Sequence, residues 1–155
     1  MKYRVTWRGH SGRSSGLGIA SSAYVRSLRQ SGVDVRTAGR KTGRGEQRRG
    51  DIHHVLLYHR PPHTLDFKEA RKQFDSILLN TVWETTRIPK RWRPSMNKFD
   101  AICVPSTHNR KALKNSGVKV PLFIVPHGVD SRLYSPVRRR PSRRSFVFLS
   151  VFGFQ

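Results

Sequence analysis

Short apolar runs alternating with polar, helix-compatible stretches constrain this chain more than any other feature of its sequence. Runs of this kind fall at 2–7, 33–37, 52–58, 76–82, 101–104 and 122–125, and include Val55-Leu56-Leu57-Tyr58, Ile77-Leu78-Leu79 and Leu122-Phe123-Ile124-Val125. Their length, bounded by Gly and Pro, predicts buried strands. Helices are predicted between them: at 19–30, ending before Gly32; at 66–74; at 89–98, opened by Pro89 and shortened by Pro94; and at 107–115, capped by Ser106 and stopped by Gly117. Strands and helices in alternation, joined by short connections, predict an α/β fold with a doubly wound, Rossmann-like parallel sheet. The two later crossovers are expected to be right-handed and helix-covered.

A length of 155 residues suffices for one such domain with a core of its own and is too short for two. The expected organisation is a Rossmann-like domain over 1–130, a basic Pro- and Arg-rich linker over 131–144, and a further apolar strand within 145–155. Residues 38–50, basic and Gly-rich, are expected to form a mobile loop. The single cysteine, Cys103, sits in the apolar run 101–104 and reads as a core thiol with no disulfide or metal role. Neither a signal-peptide core nor a run of about 18 apolar residues is present, so the expected location is cytoplasmic.

Charge is the outlier, since 31 Lys and Arg against 9 Asp and Glu give +22, which attracts polyanions in a salt-sensitive way. The basic residues are spread along the chain apart from Arg138-Arg139-Arg140 and Arg143-Arg144. No zinc spacing, recognition helix or aromatic RNA-binding motif accompanies them, so sequence-specific recognition is not predicted, and the alternative to an enzyme is a basic α/β protein that binds nucleic acid or an anionic membrane. An anionic membrane surface or a lipid-linked acceptor accounts for the same charge.

The polar, Gly-rich stretch 8–18 follows the first strand and opens a helix, and helix starts present free N–H groups to anions. A tight turn with no ligand is equally compatible with it. The stretch is no P-loop, and Ser21 stands where the dinucleotide fingerprint has its third glycine. That weakens a nicotinamide reading in which Arg36 and Arg40 would meet a 2′-phosphate. His59 and His63 have metal-pair spacing, but Pro61 and Pro62 forbid the helix that would unite them. His53 and His54 point to opposite faces of a strand. His59 is expected at the carboxyl edge, where open parallel sheets bind ligands. Trp83, Glu84 and Thr85 are expected at the same edge: an aromatic face for a pyranose, a carboxylate to accept hydroxyl protons or pair with Arg87, and a hydroxyl.

Four segments, Ser14-Ser15-Gly16-Leu17-Gly18, Trp83-Glu84-Thr85-Thr86-Arg87-Ile88-Pro89, Asp100-Ala101-Ile102-Cys103-Val104-Pro105-Ser106 and Val125-Pro126-His127-Gly128-Val129-Asp130, together resemble the first domain of glycosyltransferase family 4. These are retaining enzymes of the GT-B fold. The run Phe148-Leu149-Ser150-Val151-Phe152-Gly153 is similar to the first strand of that family's donor-binding domain. The resemblance implies the amino-terminal, acceptor-side half of an enzyme that moves a sugar from a nucleotide-sugar to a sugar or lipid-linked acceptor. It assigns Ser15 and Gly16 to the donor diphosphate and His59, Trp83 and Thr85 to the acceptor. Glu84 takes the catalytic place, where many relatives carry a histidine. It implies neither a metal nor another cofactor. The family's cationic and acidic donor residues lie in a second domain, so this half is expected to need that domain or a partner chain and to be nearly inactive alone.

Overall fold

The computed structural model describes residues 2–10, 15–37, 52–136 and 148–150. Strands β1 (Lys2–Gly9), β2 (Asp34–Thr37), β3 (Ile52–His59), β4 (Ser76–Asn80), β5 (Ala101–Val104) and β6 (Leu122–Ile124) form one sheet. All five pairings are parallel, in the order β2-β1-β3-β4-β5-β6. The fold is thus the α/β, doubly wound parallel sheet that the alternation predicts. Helices α1 (Gly16–Gln30), α2 (Phe67–Gln73), α3 (Arg93–Met96) and α4 (Thr107–Asn115) flank it.

The two faces carry different cores. Leu56, Tyr58, Ile77, Leu79, Ile102 and Val104 point one way and pack with Ala70, Met96 and Leu113 of α2, α3 and α4. Val5, Trp7 and Val35 point the other way and pack on Val25 of α1, with Val55 and Leu57 beside them. Successive strand residues face opposite sides, so β3 contributes to both cores. At the amino end of β4, Asp100 accepts the Ile77 N–H at 2.6 Å and both Arg71 guanidinium nitrogens at 2.7 and 2.9 Å, which fixes β4 against β5.

Three expected boundaries are corrected. Helix α1 starts at Gly16 rather than 19, because Ser15 is its N-cap and accepts the Gly18 N–H at 3.1 Å. It ends at Gln30, before Gly32 as expected, and the Gly32 φ of 80° lies in the left-handed region that glycine enters without strain. Strand β4 stops at Asn80 instead of 82. The helix expected over 89–98 is a 3-10 turn, Lys90–Trp92, followed by the single turn α3 with Pro94 in its first turn. The loop expected over 38–50 lies outside the described residues, as does most of the strand expected over 145–152. Residues 148–150 have no regular structure, and Phe148 and Leu149 are 89% and 86% exposed. Among the described residues, no helix is long and apolar enough to cross a membrane.

Candidate functional site

Strand order reverses at β1, which has β2 on one side and β3 on the other, and ligands of open α/β sheets bind beyond the carboxyl ends of the strands at such a point. Gly9 ends β1 and pairs with His59, the last residue of β3. A Cβ at Gly9 would lie 2.5 Å from Trp7 Nε1, 2.8 Å from Ser21 Oγ and 3.2 Å from His59 Cβ. Helix α1 can therefore approach the sheet only because position 9 has no side chain. The dinucleotide fingerprint achieves this approach with a glycine on the helix; here the glycine is on the strand, and the helix position holds Ser21.

Trp7 Nε1, Ser21 Oγ and His59 Nε2 are all buried and have no hydrogen-bond partner. His59 Nδ1 lies 2.9 Å from the main-chain oxygen of Asn80. A carbonyl only accepts, so Nδ1 carries the proton, and Nε2 of the neutral ring is left as a lone-pair acceptor. Burial lowers the His59 pKa, the bond to Asn80 opposes this, and the nearby His10 and His127 reinforce it. The trio thus offers an indole donor, a hydroxyl that can donate or accept, and an imidazole acceptor.

Tyr24, one turn beyond Ser21 on α1, joins this cluster to the segment after β6. Its ring stacks on Trp7 at 5.6 Å, lies 6.5 Å from the His59 ring and 5.7 Å from that of His127. Its hydroxyl donates to the Val125 carbonyl at 3.3 Å. Burial raises the Tyr24 pKa, against the lowering effect of a hydrogen bond to the Asn80 side chain. Between α1 and the segment 125–132 runs an open groove of about 960 Å³, lined in part by Gly16, Ile19, Tyr24, Val125, His127 and Arg132.

The residues picked out from the sequence fall into two groups. Ser15 caps α1, Gly16 is its first residue and lines the groove, and His59 is 4% exposed at the switch point. No acidic residue in the first turn of α1 opposes an anion there. Trp83, Glu84 and Thr85 lie farther along the edge. The Trp83 N–H donates to Asn109 Oδ1 of α4 at 2.6 Å, its ring meets Trp92 edge-on at 5.1 Å, and its Nε1 donates to Thr85 Oγ1 and the Arg87 carbonyl. Trp83 and Thr85 are therefore engaged in holding the loop after β4. Glu84 is exposed and has neither a hydrogen bond nor an ion pair, with Arg87 or any other described residue. Among the described residues, no hydrogen bond or ring contact joins these three to His59, Ser15 or Gly16.

Elsewhere, His53 reaches Ser76 Oγ at 2.8 Å, while His54 is buried on the opposite face. His63 lies against Trp92, with ring centroids 5.5 Å apart. Cys103 is a free, half-buried thiol whose pKa burial raises. Among the described residues, no group of three or more His, Cys, Asp or Glu comes together in a way that could hold a metal. Sequence reasoning missed Gly9, Trp7, Ser21, Tyr24 and Asn80. The spacing of Gly18, Ser21 and Val25 marks the inner face of α1, and this signal could have singled out Ser21. No protein family matches the chain, and no curated protein matches it significantly, so its own geometry defines the site.

Proposed function

We propose that this chain is the acceptor-side domain of a nucleotide-sugar-dependent glycosyltransferase, with sugar transfer at the carboxyl edge of the sheet beside the β1–β3 switch point. The observation that carries the reading is the cluster of Trp7 Nε1, Ser21 Oγ and His59 Nε2: buried, unpartnered, and adjoining the start of α1. Unpaired buried polar atoms cost stability, and a polyhydroxylated ligand is the kind of molecule that would pair them. On this reading, the free N–H groups at Ser15 and Gly16 meet the diphosphate, and His59 Nε2 accepts a hydroxyl proton in a hydrogen bond. Glu84, standing where many relatives carry a histidine, serves as the base. Trp83 and Thr85 shape the acceptor side through the loop after β4. A GT-B enzyme closes a second Rossmann-like domain over such an edge, and the groove between α1 and 125–132 opens where that domain would sit. The protein then works in the cytoplasm against an anionic membrane surface or a lipid-linked acceptor, in keeping with its charge of +22.

Titration of the chain with uridine and guanosine diphosphate sugars, followed by amide and histidine-ring NMR shifts, tests the reading. Shifts confined to Gly16, Leu17, Gly18 and the His59 ring, weakened severalfold by Ser15→Ala, are expected. Tighter binding of a reduced nicotinamide cofactor, or no localised shift with any sugar nucleotide, would reject it.

A further inference from the structure

A second unpaired feature lies across the sheet from His59. Trp7 and Gly9 face α1, so Arg8 points to the opposite side of β1. Its Nε is buried without a hydrogen-bond partner, and its guanidinium lies over the Phe74 ring, 5.9 Å from the centroid. Arg60, just past the end of β3, donates from Nε and Nη2 to the Gly9 carbonyl at 3.3 and 3.0 Å. That pins its guanidinium and leaves Nη1 uncommitted. The two charges are near enough that Arg60, after burial itself, helps lower the Arg8 pKa, while Tyr58 opposes the shift.

Two other arginines of the sheet's surroundings are neutralised. Arg4, four residues back on the same face, meets Asp34 at 2.7 Å, and Arg71 meets Asp100. Among the described residues, neither Arg8 nor Arg60 has an ion pair. Holding two guanidinium groups together, one of them stripped of water at Nε, is unfavourable until an anion joins them. One fork is fixed by a carbonyl and the other by an aromatic ring, so little ordering is needed to bind a tetrahedral oxyanion.

We propose that Arg8 and Arg60 form a subsite for a phosphate group at the carboxyl end of β1, on the face opposite α1. The subsite does not depend on the sugar-transfer reading, because it uses neither His59 nor the start of α1. Inorganic phosphate is the probe, added to the whole chain at low ionic strength in a phosphate-free buffer. Saturable binding is expected, with the Arg8 Nε–H resonance shifting and that of Arg110, exposed on α4, unmoved. Arg8→Met and Arg60→Met should each weaken binding at least tenfold, Arg8→Lys less, and Ser15→Ala not at all. The Nε–H shift is read on the parent chain, so it decides the matter even if a variant fails to fold. Non-saturable binding, an unmoved Arg8 resonance, or loss in Ser15→Ala with retention in Arg8→Met overturns the proposal. Competition by glycerol phosphate would assign a soluble ligand. Competition by phosphatidylglycerol vesicles, but not by phosphatidylcholine vesicles, would assign a lipid headgroup.

Discussion

The half of the sheet from β3 to β6 and the half around β1 and β2 are built from the same elements to different ends. Among the described residues, fourteen buried ones form the first core, against four in the second. The buried side-chain polar atoms without a partner among the described residues are Trp7 Nε1, Arg8 Nε, Ser21 Oγ, His54 Nε2 and His59 Nε2 of β1, α1 and β3, with only Trp92 Nε1 outside these elements. Native interiors pair nearly all such atoms, so their concentration on β1, on α1 and on the adjoining strand β3 marks where local stability has been given up. The large core holds the sheet, and the small one holds groups that await a partner.

Ile102→Ala breaks the comparison most forcefully from the stable side. Ile102 has no accessible surface and sits on β5 in the large core. Truncation there costs about 2–5 kcal/mol, read as a lower urea midpoint. Ligand shifts at Gly16 and His59 in the remaining folded fraction are expected to be unchanged, and losing them selectively would show that the halves are not separable. Gly9→Ala strikes the other half. The added methyl meets Trp7 Nε1, Ser21 Oγ and His59 Cβ at distances that force α1 or the His59 ring outward. Overpacking of this kind costs about 1–3 kcal/mol. The His59 ring resonances should move in this variant and stay in place in Ile102→Ala.

How far the sequence foretells each half differs for physical reasons. Strand β5 and helix α4 match their predicted bounds because Ser106 caps the helix, its Oγ accepting the Asn109 N–H at 3.2 Å, a signal contained within four residues. The start of α1 lies earlier than local propensity predicts because Gly16 and Gly18 are poor helix formers, and the Ser15 cap outweighs their propensity. Pro94 interrupts the helix expected over 89–98, yet fits a new first turn, where its missing N–H costs nothing. The sequence presents Trp83 as a free aromatic at the edge, whereas Asn109, 26 residues downstream, takes its N–H, a long-range pairing that no local pattern encodes. His59 was legible by position alone. Its convergence with Trp7 and Ser21 was not, since that depends on the register Gly9↔His59 and on the depth at which α1 docks.

Ser21→Ala sharpens the contrast with a smaller change of opposite sign. Its Oγ is buried and unpaired, so removing it relieves a desolvated group while leaving little empty volume. Stability is expected to rise by about 1 kcal/mol in urea unfolding while sugar-nucleotide binding weakens. A loss of stability would mean that the hydroxyl already has a partner, such as an ordered water, and is not held in reserve for a ligand.

The pH dependence of stability supplies the finest distinction. In the unfolded chain, His59 titrates near its ordinary value of about 6.5. In the fold, burial above all, with the charges of His10 and His127, lowers its pKa despite the bond to Asn80. Between the two values the unfolded chain binds more protons, so stability rises with pH across that window and the contribution is complete above the unfolded value. As pH falls from about 6.5 towards the folded pKa, stability is progressively lost, and below that pKa this group has no further effect. A ligand hydroxyl donating to Nε2 would favour the neutral ring further and steepen the loss of binding in acid. Urea midpoints at several pH values should show this slope in the parent and, shifted down as a whole, in Ile102→Ala. His59→Gln, which cannot titrate, should flatten it. A slope that persists in His59→Gln would place the acid sensitivity on another group and remove the lone-pair acceptor from the account of the site.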